Sequence, residues 1–99
     1  MLDIKKTVEG GNACFALSGR IDTTTAPDLE KAIMASIDGI TDLKLDMKAL
    51  EYISSAGLRV LLAAQKRMNK QGRMTILNVN ENVMEIFEVT GFSDILNIE

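Results

Sequence analysis

Histidine and tryptophan are absent from the 99 residues, and cysteine and proline occur once each, as Cys14 and Pro27. Without histidine there is no imidazole to serve as general base, proton switch or metal ligand. A Ser-His-Asp triad is therefore excluded. A single cysteine excludes an internal disulfide and suits a reducing compartment; with no histidine beside it, no zinc ligand set exists. Aromatic residues make up only 4%. Neither GxGxxG nor GxxxxGK[ST] occurs, so both common phosphate-binding loops are missing. The longest apolar run, Val60 to Ala64, falls far short of the ~20 residues that span a bilayer. The start, Met1-Leu2-Asp3-Ile4-Lys5-Lys6, lacks the basic segment and apolar block of a secretory leader. The formal net charge is −3, which gives no basic footprint for nucleic acid. These absences predict a cytoplasmic protein with no metal, cofactor, nucleic-acid or membrane partner.

What remains is an ordinary globular mixture, 46% hydrophobic and 25% charged, of a length that suits one domain spanning residues 1–99. Such a chain holds one core and little room for an enclosed substrate chamber. Leu2, Ile4 and Val8 suggest an edge strand over residues 2–8. "EGGN", residues 9–12, is a turn signal. Phe15 and Leu17 alternate with Cys14 and Ala16 in a second strand over 13–19, giving an antiparallel hairpin. A helix is expected over 25–39, with Thr25 as N-cap, Asp28 completing an approximate capping box and Pro27 in the first turn. Leu29, Ile33 and Ile37 form its apolar stripe, and Gly39 suits its left-handed C-terminal stop. Leu43, Leu45 and Met47 alternate with charged residues in a strand over 42–48. A second helix runs from Ser55 to about Lys70, a strand follows at 73–79, and a third helix lies between Asn80 and Gly91. "SDILNIE", residues 93–99, reads as a short final strand. The order β-β-α-β-α-β-α-(β) predicts an α/β fold. Its core is a single small mixed sheet of four to five strands, with helices mainly on one face.

Ser54 and Ser55 stand where the third strand gives way to the second helix. Helix capping alone accounts for a serine there, because its hydroxyl accepts a hydrogen bond from an unpaired amide, worth about 1 kcal/mol. A nucleophilic serine is disfavoured: there is no histidine, and no lysine follows at SxxK spacing. A third reading makes the serine a phosphoacceptor. A phosphate at a helix N-terminus meets the positive end of the dipole, so the fold tolerates it, while a docked partner meets roughly −1.5 to −2 units of new charge. Gly57, without a side chain, would let another backbone approach. Arg59, four residues after Ser55, could pair with such a phosphate or with an acidic partner group; as a bland alternative it is a solvated helix arginine. Leu58 falls in the apolar stripe.

Three stretches resemble the STAS-domain anti-sigma factor antagonists: "YISSAGLRVLLAA" (52–64), "ALSGRIDTTTAPDLEKAI" (16–33) and "VTGFSDILNI" (89–98). They lie in the family's order and cover nearly the whole chain. The resemblance implies a STAS-like fold and a partner switch without catalytic residues. The unphosphorylated antagonist binds an anti-sigma factor that is also a serine kinase, and this frees the sigma factor. The kinase then phosphorylates the antagonist at the start of the second helix, and a phosphoserine phosphatase resets it. Aligning Gly57-Leu58 with the family's Gly-Leu assigns the phosphoserine to Ser55, with Ser54 as the alternative, since many members carry Asp where this chain has Ser54. Asp22, with Thr23 and Thr24, matches the neighbouring acidic loop; it arranges the serine or contacts the kinase, or it is simply a turn residue. The implied partner-binding set is Asp22, Thr23, Thr24, Ser54, Gly57, Leu58 and Arg59. Two other readings stay open. One is a STAS interaction module in another signalling scaffold or transporter-associated complex. The other is a nucleotide or small-ligand binder, for which turn amides are available but no dedicated loop is.

Overall fold

The computed structural model describes all 99 residues, Met1–Glu99. Strands β1 (Leu2–Glu9) and β2 (Asn12–Ile21) form the hairpin, and helix α1 (Ala26–Ser36) leads to strand β3 (Asp42–Ile53). Helix α2 (Ser55–Gln71), strand β4 (Arg73–Leu77) and helix α3 (Glu81–Thr90) follow, then one 3-10 turn at Phe92–Asp94. The four strands lie in the order β1-β2-β3-β4. β1 runs antiparallel to β2, whereas β2–β3 and β3–β4 are parallel, each joined by a crossover helix.

The alternation legible in the sequence decides which face is buried. Ala13, Phe15 and Leu17 of β2, Leu43, Leu45 and Met47 of β3, and Met74 and Ile76 of β4 turn to one side. There they join Leu29 and Ile33 of α1, Leu61, Ala64 and Met68 of α2, and Val83 and Phe87 of α3 in one continuous hydrophobic cluster. Each large side chain so enclosed contributes about 1.5–3 kcal/mol relative to exposure. The opposite face presents Lys5, Cys14, Ala16, Ser18, Lys44 and Asp46, all exposed or half-buried. This is the mixed sheet with helices on one face that the sequence predicts.

β2 and β4 differ from expectation by one or two residues at their ends, and three larger differences each have a physical reason. β3 continues to Ile53 instead of stopping at residue 48. Its pairing with β2 shifts register between Ala16 and Ser18 and again between Gly19 and Arg20. Each shift inserts an extra residue in β3, so Leu50 and Ile53 reach the core at spacings of three and the period-two signal is lost. α1 ends at Ser36, and Gly39, at φ 81°, shapes the following turn rather than the helix stop. The Gln71 side-chain amide donates to the Ile37 and Ile40 carbonyls at 2.7 and 2.6 Å. That satisfies the helix end from outside, where a glycine cap was expected. The final strand reduces to a single bridge between Ile98 and Ile76, because the 3-10 turn consumes its first residues.

α3 follows its sequence signals closely. The Asn80 side chain accepts from the Val83 amide at 2.9 Å, and Gly91, at φ 82°, ends the helix in the left-handed region. The other end of the same Asn80 amide donates to the Leu50 carbonyl at 2.6 Å, beside the irregular part of β3. One side chain thus caps a helix and fixes the strand on which that helix rests. Replacing Asn80 by alanine removes both bonds and is expected to destabilise the chain by about 1–2 kcal/mol in urea unfolding. Asn80→Asp keeps the cap acceptor but sets a carboxylate oxygen against the Leu50 carbonyl, so it is expected to be destabilised as well. Equal stability of the alanine variant and the parent would contradict this role.

Candidate functional site

The C-terminal ends of β2 and β3 lie side by side, with Ile21 paired to Ile53. The Ser54 amide continues this pairing by donating to the Ile21 carbonyl at 2.7 Å. β3 therefore enters α2 while still tied to β2, and the loop after Ile21 is held against the start of α2.

The two serines are put to different uses. Ser54 is the N-cap: its backbone is extended, at φ −90° and ψ 174°, and its hydroxyl accepts from the Gly57 amide at 3.3 Å. Its carbonyl accepts the Leu58 amide at 2.9 Å, and the residue is only 9% exposed. Ser55 is the first residue of the helix and is exposed. Its hydroxyl takes part in none of the side-chain hydrogen bonds of the chain. A single-residue offset separates a structural hydroxyl from an accessible one.

Gly57 is buried for an internal reason. A Cβ there would lie 2.5 Å from Ile21 Cγ2 and 2.7 Å from Ile53 Cγ1. Both isoleucines are fully enclosed, so neither can yield. The close approach that Gly57 permits is that of α2 to the strand ends of its own sheet, and not of a partner's backbone. Leu58, only 5% exposed, is likewise core. Of the implied partner-binding set, Ser54, Gly57 and Leu58 are thus sealed inside, while Thr23, Thr24 and Arg59 are exposed and Asp22 is half-buried. Thr23, Ala56 and Arg59 line one shallow groove of about 270 Å³ between the α1 and α2 N-terminal turns, with Pro27 and Glu30 on its α1 side.

Asp22 organises its loop. One carboxylate oxygen, Oδ1, accepts from the Thr24 amide at 2.9 Å, the Thr24 hydroxyl at 2.7 Å and the Thr25 amide at 3.0 Å. The Thr24 hydroxyl is the largest cause of a pKa lowered from 3.8 to about 2, followed by the Thr25 amide. Thr25 does not act as a side-chain N-cap, contrary to expectation. Its hydroxyl instead donates to the Arg20 carbonyl at 2.9 Å and accepts from the Asp22 amide at 2.8 Å. The "DTTT" run is a closed hydrogen-bonded knot whose outer members, Thr23 and Thr24, face solvent beside α2. Sequence reasoning missed the buried role of Thr25, and it missed the pairing of Arg20 with Tyr52 across β2 and β3. The first depends on the local turn and the second on the parallel register, and neither shows in the linear sequence. Nowhere do three His, Cys, Asp or Glu side chains gather as a metal site would require, and no helix is long and apolar enough to cross a membrane.

Two outcomes are expected from this geometry. Gly57→Ala overpacks the junction and should cost about 1–3 kcal/mol in denaturant unfolding, with an unchanged m-value; full retention of stability would contradict the packing argument. The Asp22 carboxyl should titrate at about pH 2 by NMR. Because its folded value is depressed, its stabilising effect is complete above the unfolded value of about 4 and is lost as pH falls towards 2. Asp22→Asn should flatten the fall in stability over that window. A carboxyl midpoint near 4 would show that the loop bonds do not form in solution.

Comparison with known proteins agrees with the geometry. The family model described as STAS domain matches residues 3–99. A Bordetella bronchiseptica protein, BtrV, whose name makes it a candidate anti-sigma factor antagonist, is 37% identical over 90 residues, covering 89% of this chain and 78% of its own. The anti-sigma-B factor antagonist of Bacillus subtilis is 31% identical over 83 residues, covering 83% of this chain and 76% of its own. The crystal structure of an anti-sigma factor antagonist from Mycobacterium paratuberculosis superposes with a TM-score of 0.89 at 26% identity, over 99% of this chain and 85% of that one. With a family model spanning nearly every residue and relatives matched along most of their length, this chain belongs to the STAS-domain family of anti-sigma factor antagonists, which are regulatory binding proteins and not enzymes.

Proposed function

We propose that this protein is a cytoplasmic anti-sigma factor antagonist whose exposed Ser55 is the switch. In the unphosphorylated state, the surface formed by Ser55, Arg59, Thr23 and Thr24 docks on an anti-sigma factor serine kinase, and the sigma factor is released. Phosphorylation of Ser55 ends the complex, and a phosphoserine phosphatase restores it. The observation that carries this reading is the division between the serines: Ser54 is enclosed and spends its hydroxyl on the Gly57 amide, whereas the Ser55 hydroxyl is accessible and uncommitted.

The chemistry asks little of this chain. The Ser55 oxygen attacks the γ-phosphorus of ATP, the bond to the ADP oxygen breaks, and the serine proton passes to a base of the kinase. No acid or base of this chain is needed beside Ser55. After transfer the phosphate sits in the first turn of a 17-residue helix. There it interacts favourably with the dipole, by about 0.3–1 kcal/mol at an exposed site. Arg59, one turn along, offers a counter-charge. In a docked complex the same dianion would lose its water, and desolvation without a matched cation costs several kcal/mol. The free chain tolerates the group, and the complex does not.

Incubation with the cognate kinase and ATP should add one phosphate by intact mass, mapped to Ser55. Ser55→Ala should abolish the addition. Ser54→Ala should preserve it and lower stability by about 1 kcal/mol through loss of the cap. Ser55→Asp should weaken binding to the kinase by roughly tenfold or more. Stoichiometric phosphorylation of Ser55→Ala, or mapping to Ser54, would contradict the proposal.

A further inference from the structure

Two residues before the Asp22 loop and two residues before Ser54, the strands carry a second conspicuous pair. Arg20 and Tyr52 are partners in the β2–β3 register, one step before Ile21 and Ile53. The isoleucines turn into the core, so Arg20 and Tyr52 point to the other side of the sheet end. There the Arg20 guanidinium carbon lies 4.6 Å from the centre of the Tyr52 ring. Arg20 is exposed and Tyr52 half-buried.

Both the backbone and the side chain of Arg20 are fixed in advance. Its amide donates to the Met1 carbonyl at 3.0 Å, and its carbonyl accepts the buried Thr25 hydroxyl at 2.9 Å. The ring holds the side chain. The charge itself is unanswered: the two ion pairs of the molecule are Arg67–Asp38 and Arg73–Glu99, and no acceptor in the chain takes an Arg20 side-chain N–H. A guanidinium over an aromatic ring gains from the ring quadrupole on one face, while its N–H groups stay available at the edge. Arginine and tyrosine are also the residue types that most often dominate interface energetics, and a side chain already ordered loses less entropy on binding.

Building on the proposed function, we infer that the Arg20–Tyr52 stack is a specificity-determining part of the same docking surface and receives a carboxylate, Asp or Glu, of the anti-sigma factor. The stack lies at the same end of the sheet as the Asp22 loop and the Ser55 turn, on the face away from α2, so a partner gripping that end would reach it. The stack contributes to choosing the partner, and Ser55 sets when that partner leaves. Phosphorylation leaves the stack itself unchanged.

The test measures affinities of purified anti-sigma factor kinases from the source genome for the unphosphorylated chain and its variants. For the kinase that binds the parent chain, R20A should weaken binding about fivefold or more and R20E about tenfold or more. Tyr52→Phe, which keeps the ring, should stay within about twofold, whereas Tyr52→Leu should fall with R20A. The thermal midpoint of R20A should fall by no more than about 2–8 °C, the loss of one exposed cation–π contact, which separates a contact from a folding role. One acid-to-lysine change in the kinase should restore binding to R20E. Equal affinity of R20A and the parent, or failure of every such change to restore R20E, would overturn the inference and leave the proposed function standing. Failure of the parent chain to bind any of the kinases would instead contradict the proposed function.

Discussion

The fit of α2 against the ends of β2 and β3 is the constraint from which the rest follows. It is made by the Ser54 amide on the Ile21 carbonyl, the Ser54 hydroxyl on the Gly57 amide, and the bare Cα of Gly57 between Ile21 and Ile53. None of these contacts is strong alone; a neutral hydrogen bond contributes about 0.5–1.5 kcal/mol net. Together they fix the rotation of the helix, because a glycine pressed between two immovable isoleucines allows only one face inward. Once that face is set, Leu58 and Leu61 go to the core, and Ser55 and Arg59 go to solvent. The exposure of the candidate switch residue is thus a consequence of packing at Ser54 before it and Gly57 after it.

The Asp22 loop answers this junction from the neighbouring strand. Its carboxylate gathers amides and hydroxyls from Thr24 and Thr25, and the Thr25 hydroxyl ties the loop back to Arg20. A loop with this many internal bonds is ordered before any partner arrives, and that lowers the entropy lost on docking. The same holds for α2, whose N-terminal turn is anchored by Ser54 and does not depend on the state of Ser55. Signalling through such a site needs no conformational change in the antagonist itself. In the proposed switch the binding surface would change charge while the scaffold beneath it holds its shape.

Much of this was legible from the amino acids. Alternation in β1, β2 and the first half of β3 identified the buried face, and Asn80 and Gly91 marked the limits of α3. The strand-to-helix turn at the serines, and the STAS resemblance carried by residues 52–64, pointed to the end of the sheet where β2 and β3 meet α2. What stayed hidden depends on register. The bulged pairing of β3 with β2 erases the period-two pattern after Met47, so the alternation stops before the strand does and Arg20 gives no hint that it will meet Tyr52. Gln71 capping the end of α1 from 31 to 34 residues away is equally invisible in a linear reading. Thr25 does hold the N-cap position of α1, as its place before Ala26-Pro27 suggests, but the Arg20 carbonyl and Asp22 amide claim its hydroxyl, so it makes no side-chain cap bond. The resemblance put the phosphoserine at Ser55 with Ser54 as the alternative; the fold adds that Ser54 is the buried cap and Ser55 is exposed.

Two-dimensional NMR of the isotopically labelled chain, before and after complete phosphorylation by its kinase, addresses the central claim most directly. Amide shifts confined to the Ser55 turn and the adjacent Asp22 loop, with the core resonances unmoved, would agree with a charge added to an intact scaffold. Widespread shifts through β2, β3 and the buried face of α2 would mean that the phosphate dislodges the Ser54–Gly57 junction, and would contradict a switch that works by charge alone.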